Sequence, residues 1–355
     1  MAKKQKAKKA KKKLSLMDRI LTIISVILIV ASVGSIGYVS VMNWQPLSEL
    51  DQEGNAASID ADIQNDVNIK KKVTNFLVTG IDYAEGTGRA KLTDVLMVVS
   101  FNLETNEINV LQIPRDTYIG MEYPTGKINA VYGNKNKGGI ENVARVIYDR
   151  FRLPIDHYVT INMDGFVNMV DAIGGVEVNV QESFTLEGVT IKPGLQTLDG
   201  IKAEKFVCER HSRGGDIGRI NGQREFMAAL VKKLKGLSIG ELTSLAPTLM
   251  KNITTDMNVK TILTFAEKAM DLDMDNMKFH MVAGEGATIN GYSVWTVHKE
   301  VLAQTLNDNF RPFSDPVPAS ELNITEVRNT TNYYDNNDVT VDDLLGGGSS
   351  DTQNE

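Results

Sequence analysis

The chain is predicted to be an α/β protein with a mixed central β-sheet flanked by helices, and three observations carry that prediction. Apolar runs of strand length, Val73–Ile81, Asp94–Phe101 and Glu107–Ile113, follow one another closely, the last two joined by the turn Leu103-Glu-Thr-Asn-Glu107. Beyond them, segments with helically spaced apolar residues alternate with further short apolar runs. The apolar runs also end in, or are broken by, charges that a buried strand does not tolerate: Asp82, Asp94, Arg115 with Asp116, and Arg210, followed by Arg213 and Arg219. Such charges belong at the rim of a sheet, where open α/β sheets bind ligands.

The remaining elements follow in order. Gly138–Phe151 has helical spacing (Ile140, Val143, Ala144, Ile147), and Asp156–Ile161 reads as a strand. Asp164 is the expected cap of a helix through Ala172, which Gly174-Gly175 stops. Val176–Val180 is then expected to complete a β-α-β unit, and Phe184–Gly200 is a turn-rich insert punctuated by Pro193-Gly and Asp199-Gly. Helices are expected at Ile201–Glu209, Arg219–Leu237, Leu242–Lys251 and Val259–Met270. Met277–Val282 and Tyr292–Thr296 read as a last pair of strands, and Val297–Asp308 as a closing helix.

Charge is unevenly spread along the 355 residues, so the net value of −7 conceals the organisation. Residues 1–19 form a lysine-rich tail, and 20–42 are continuously apolar or small. At ~1.5 Å per residue that run spans roughly 34 Å, enough for a hydrocarbon core of about 30 Å. A cleaved signal peptide is the competing reading; Ala31-Ser-Val-Gly-Ser is a conceivable cleavage site, but the apolar run continues to Val41. The lysines precede the span, which places the N-terminus in the cytoplasm and the remainder outside a cell membrane. Because they abut the span, they read as a topology signal and not as a nucleic-acid-binding arm. Residues 43–72 are expected to form a stalk, 73–311 the folded domain, and the acidic, Gly/Ser-rich 312–355 a disordered tail. The single cysteine, Cys208, excludes an intrachain disulfide, and no CxxC or HExxH spacing supports a zinc site.

Carboxylates and arginines on one rim suit a divalent cation with a phosphorylated substrate. Displacement at phosphorus needs charge neutralised on the non-bridging and leaving oxygens, which Mg²⁺ and arginines do. Taken singly, each aspartate reads equally well as a cap or turn residue. Asp116 is expected to tie down Arg115 and not to take part in catalysis.

Seven runs occur in an order that resembles the LytR-CpsA-Psr family: Asn75-Phe-Leu-Val-Thr-Gly-Ile-Asp82, Thr93-Asp-Val-Leu-Met, Ile113-Pro-Arg-Asp-Thr117, Lys127-Ile-Asn-Ala-Val-Tyr, Ile155-Asp-His-Tyr-Val, Phe166 to Val176, and Gly194-Leu-Gln-Thr-Leu-Asp-Gly200. The resemblance implies a membrane-anchored phosphotransferase that moves a glycopolymer from a polyprenyl-pyrophosphate carrier onto peptidoglycan and releases polyprenyl phosphate. It implies that Asp82 and Asp94 hold Mg²⁺, with Mn²⁺ an alternative, and that Arg115, Arg210 and Arg219 serve catalysis and grip the pyrophosphate. Lys127 is a further candidate near the phosphates or sugar. The lipid tail needs an apolar channel, and the helical rows Phe166, Val167, Val170, Ile173 and Phe226, Ala229, Leu230, Leu234 hold its candidate lining beside their role as core.

One departure matters. The family pattern aromatic-Val-Arg-x-Arg reads Phe206-Val-Cys208-Glu-Arg210 here, so a thiol replaces the first arginine. Reduced activity, an altered substrate, or compensation by Arg213 are the open outcomes. Arg224 is expected to be a surface charge of its helix. A Cys-His hydrolase is disfavoured for want of an orienting third group. A lipid-phosphate-binding or scaffold protein, and a pyrophosphatase using water as acceptor, stand as alternatives to the transferase.

Overall fold

The computed structural model describes residues 72–82, 91–102, 104–134, 138–237, 241, 244–245, 248, 251–257, 277–326, 334 and 339–345. In chain order these form β1 (Val73–Asp82), β2 (Leu92–Asn102), β3 (Glu107–Gln112), α1 (Ile140–Phe151), β4 (His157–Asn162) and α2 (Met163–Ala172). Then come β5 (Val176–Val180), β6 (Phe184–Leu186), β7 (Val189–Ile191), β8 (Gly194–Leu198), α3 (Gly200–Cys208) and α4 (Asp216–Lys235). The series closes with β9 (Ile253–Thr255), β10 (Lys278–Met281), β11 (Gly284–Ile289), β12 (Tyr292–Val297), α5 (Lys299–Asn309), β13 (Val339–Thr340) and α6 (Val341–Leu345).

Seven strands make one mixed sheet in the order β13-β10-β3-β2-β1-β4-β9. β1 runs antiparallel to β2 and parallel to β4, and β3 runs parallel to β10. Because β1 is central, both its faces are buried, and consecutive residues feed opposite cores. Phe76 packs upward with α2, α3 and α4, whereas Leu77 packs downward with α1 and α5. Helices therefore cover both faces, as predicted. Local chemistry sets the helix starts: Asn162 Oδ1 accepts from Gly165 N–H (2.7 Å) to cap α2, and Asp199 Oδ1 from Lys202 N–H (2.9 Å) to cap α3. The cap of α2 is thus Asn162; Asp164 lies inside the first turn. Gly174 and Gly175 end that helix at φ of 77° and 81°, values that favour residues without Cβ.

Several expectations need correction. β5 does not join the central sheet to complete a β-α-β unit; it pairs antiparallel with β8 in a separate ribbon. Its alternation shows why: Val176, Val178 and Val180 are buried while Glu177 and Asn179 are exposed, a one-faced strand that a doubly covered sheet would not accept. The insert that follows holds a hairpin, β6–β7, as well as β8. β10 lies in the central sheet, and β12 pairs instead with β11.

The segment beyond 312 was expected to be disordered, yet Leu322 (1% exposed) and Ile324 lie in the lower core. Phe279 pairs with Val339 across β10 and β13, and Val341 enters the upper core. The alternating Leu322-Asn-Ile324 and Val339-Thr-Val341 were the signal for burial inside a polar, acidic composition. The predicted anchor at 20–42, the stalk before Lys72 and the helix at 259–270 lie outside the described residues. Among the described residues no helix is long and apolar enough to cross a membrane.

Candidate active site

A cavity of 430 Å³ opens between the upper face of the sheet and helices α2, α3 and α4. Its mouth carries the charged strand ends. Asp82 is the last residue of β1, on the same side as Val78 and Gly80, which also line the cavity. Asp94 would face the opposite core by strict alternation with Leu96 and Val98. A bulge prevents this: Gly80 pairs with Val95 and Ile81 with Thr93, so Asp94 is the extra, unpaired residue of β2. Bulges re-aim side chains beside functional sites, and here Asp94 and Val95 both line the cavity. Pro114, which cannot donate to a sheet ladder, follows the end of β3 and places Arg115 at the mouth.

The charges form a chain of ion pairs. Arg115 Nη1 donates to Asp94 Oδ1 at 2.8 Å, and Arg115 Nε lies 3.8 Å from Asp116 Oδ1 and 3.7 Å from Asp216 Oδ1. Asp216, in the first turn of α4, also binds Arg219 Nη2 at 2.7 Å. Burial works to lower the pKa of Arg115, but Asp94, Asp216 and Asp116 raise it above the usual arginine value. Burial, opposed by Asp216, lowers that of Arg219, which is 5% exposed. Both side chains stay charged at neutral pH. Nε of each is buried without a hydrogen-bond partner among the described residues, donor capacity that anion oxygens would satisfy.

The predicted site residues divide. Asp82, Asp94, Arg115, Arg210 and Arg219 all line the cavity. Lys127 does not: its ammonium binds Asp116 Oδ1 at 3.2 Å, so it steadies the partner of Arg115. Arg213 does not line it either. Its guanidinium lies 4.3 Å over the Phe206 ring and binds Glu225 Oε2 at 3.1 Å. Glycine at 222 permits this, since a Cβ there would lie 2.8 Å from Arg213 Nη1. Arg224 is not a surface charge but is wholly buried, donating through Nε to Gln112 Oε1 at 2.5 Å. Burial pushes its pKa down to about 10.

Sequence reasoning missed Gln223, His211, Glu187, Glu204 and Lys205, all of which line the cavity. Gln112, a polar side chain in an apolar strand, was legible as an oddity; it accepts from Arg224 and donates to Gln223 Oε1 at 3.4 Å beneath the mouth. Burial, reinforced by Glu204 and Asp94, pushes the Cys208 thiol up to about 12, so it stays protonated and is no nucleophile at neutral pH. Of the helical rows predicted to supply lining, Phe166, Phe226 and Leu230 do so, while Val170, Ile173, Ala229 and Leu234 belong to the packed core.

Among the described residues, no group of three or more His, Cys, Asp or Glu converges as a ready metal cage. Two carboxylates at the mouth fit the one common cation that takes few protein ligands and completes its shell with water and phosphate oxygens, Mg²⁺. The lining charges are compatible with it. Among the lining residues, four carboxylates (Asp82, Asp94, Glu187, Glu204) stand against four cations (Arg115, Lys205, Arg210, Arg219).

A LytR_cpsA_psr family model matches residues 44–311, and the chain belongs to that family. It is 31% identical over 260 residues to the polyisoprenyl-teichoic acid–peptidoglycan teichoic acid transferase TagU of Oceanobacillus iheyensis, covering 68% of this chain and 77% of that protein. Against the protein of the same name from Bacillus subtilis the identity is 30% over 244 residues, covering 66% and 76%. The fold matches the crystal structure of B. subtilis TagV with a TM-score of 0.60 at 24% identity, over 70% of this chain and all of that one.

Proposed function

We propose that this protein is a membrane-anchored phosphotransferase that moves an anionic glycopolymer from a polyprenyl-pyrophosphate carrier onto peptidoglycan. The observation that carries the reading is the division of one cavity into two chemistries. Its interior is apolar, with the Phe166 and Phe226 rings 5.4 Å apart, and its mouth gathers Asp82, Asp94, Arg115, Arg210 and Arg219. A lipid diphosphate has the same division. The relatives' names, which specify transfer of teichoic acid to peptidoglycan, support this substrate class.

In the reaction so read, an acceptor hydroxyl of peptidoglycan attacks the phosphorus that bears the glycopolymer. An oxygen–phosphorus bond forms as the hydroxyl proton passes to solvent, the bridging P–O bond breaks with its electron pair going to the leaving oxygen, and polyprenyl phosphate departs. Arg115 and Arg219, held by Asp94 and Asp216, offer planar forks to the non-bridging oxygens without reorganising. Arg210, exposed at the rim, meets the glycopolymer phosphate as it arrives. Asp82 and Asp94 are the proposed holders of Mg²⁺ or Mn²⁺, which would supply charge neutralisation at the diphosphate. The lysine-rich tail and the apolar run at 20–42 support a single-pass cell-membrane protein with its N-terminus in the cytoplasm and this domain outside.

The test incubates the full chain in detergent with a polyprenyl-pyrophosphate oligosaccharide, peptidoglycan oligomer and Mg²⁺. The full chain is needed because Leu322, Ile324, Val339 and Val341, beyond the family match, are part of the core. Sugar phosphate joined to peptidoglycan, lost on chelation, is the expected product. Intact lipid that binds without turnover would mean a carrier-binding protein weakened at Cys208, and free sugar phosphate a pyrophosphatase.

A further inference from the structure

We infer that Lys205 is a diphosphate-binding residue of this site, paired with Glu187 at the tip of the β6–β7 hairpin until a diphosphate takes that carboxylate's place. The inference rests on the proposed lipid-diphosphate substrate and names a residue that it does not need.

Lys205 lies in α3 and is 9% exposed, and it lines the cavity together with Glu204 and Cys208. Lys205 and Cys208 stand three residues apart, neighbours on one helix face. The ammonium is therefore within a turn of the place where the mouth lacks a charge. Its nitrogen binds Glu187 Oε2 at 2.5 Å and Glu204 Oε2 at 2.7 Å. Burial works to lower its pKa, but these two bonds raise it above the ordinary lysine value, so the charge persists at neutral pH.

The two carboxylates are not equivalent. Glu204 is mostly covered on the same helix, whereas the Glu187 side chain is 73% exposed and belongs to a hairpin whose strands are three residues each. An exposed carboxylate on a short two-stranded ribbon is a weak, solvent-screened partner. A diphosphate offers more charge and several oxygens, and displaces such a partner from a lysine. Leu186 and Glu187 also line the cavity, so the Glu187–Lys205 pair lies where the headgroup would seat.

The test measures binding of geranylgeranyl diphosphate, and of the uncharged geranylgeraniol, to the full chain in detergent with Mg²⁺. Lys205→Met is expected to weaken diphosphate binding about tenfold or more, with the alcohol changed less than about twofold, and Lys205→Arg to retain most of the affinity. Glu187→Gln is expected to act in the opposite direction, tightening diphosphate binding roughly threefold by removing the more exposed of the two carboxylates that compete for the lysine. If the ion pair were only a structural latch, both substitutions would break it alike and shift affinity in the same direction, which overturns the inference. Should Lys205→Met fail to fold, Glu187→Gln on its exposed hairpin decides, and no gain in affinity rejects the role. A wild-type protein that binds the diphosphate through Arg115, with no response to either substitution, sinks this inference alone. Failure of the wild type to bind the diphosphate sinks the proposed function with it.

Discussion

Below the central sheet, Leu77, Leu96, Val98 and Leu111 pack against Ile147, Phe151, Leu306 and Phe310, all 2% exposed or less, and the layer closes. Above the same strands, Val78, Met97 and Val99 face a cavity of 430 Å³ that reaches a charged mouth. Neighbouring residues of β1 and β2 thus face opposite surroundings, one a packed layer and the other a cavity. The upper face is also where methionines gather: Met97, Met163, Met169, Met227 and Met277 line the cavity. Unbranched, polarisable side chains give that wall adaptable packing, which suits the lipid tail of the proposed substrate.

The contrast can be broken at its functional end first. Arg115→Ala should lower glycopolymer transfer by roughly 10²–10³-fold, read as released polyprenyl phosphate, because it removes a preorganised donor at developing charge. An effect below tenfold would take Arg115 out of the reaction.

The two faces should also differ in their response to one kind of truncation. Phe151→Ala in the closed layer should cost about 3–5 kcal/mol in urea unfolding, the usual range for a buried ring. Phe226→Ala, whose ring borders the cavity, should cost about 2 kcal/mol and weaken lipid binding more than Phe151→Ala does. Equal stability losses with no binding difference would erase the distinction.

The gathering of charges at the cavity was legible because charges at the ends of apolar strands have few places to go. Asp82, Asp94 and Arg115 were found that way, and the bulge at Asp94 supplied a turn of the side chain that spacing alone does not encode. What stayed hidden depended on through-space neighbours. Arg213 stood near enough in sequence to compensate for Cys208, but it lies over Phe206 beside Glu225, in space left by Gly222. Arg224 looked like a helix surface charge because its partner, Gln112, lies 112 residues away. Lys205 fell within an ordinary helical pattern, and its partner Glu187 belongs to a hairpin read as turns.

Smaller effects sharpen these points. Gly222→Ala should displace the Arg213 guanidinium and cost about 1 kcal/mol of stability, whereas a neutral result would mean that Arg213 moves aside freely. For Cys208, the folded pKa is pushed up to about 12 from an ordinary thiol value of 9.0. The unfolded thiol therefore loses its proton first, so the stabilisation is complete below the unfolded value and is lost as pH rises toward the folded one. The wild type should lose stability relative to Cys208→Ser as pH rises above about 9, compared by unfolding midpoints. Parallel pH profiles would show that the thiol is not buried as described.

A structure of the protein with a polyprenyl-diphosphate analogue would show where headgroup and tail lie. Both phosphates should sit among Arg115, Arg210 and Arg219 beside Asp82 and Asp94, with the tail running inward past Phe166 and Phe226. A headgroup bound elsewhere, or a tail lying outside the cavity with those rings still in contact, would contradict the proposed function.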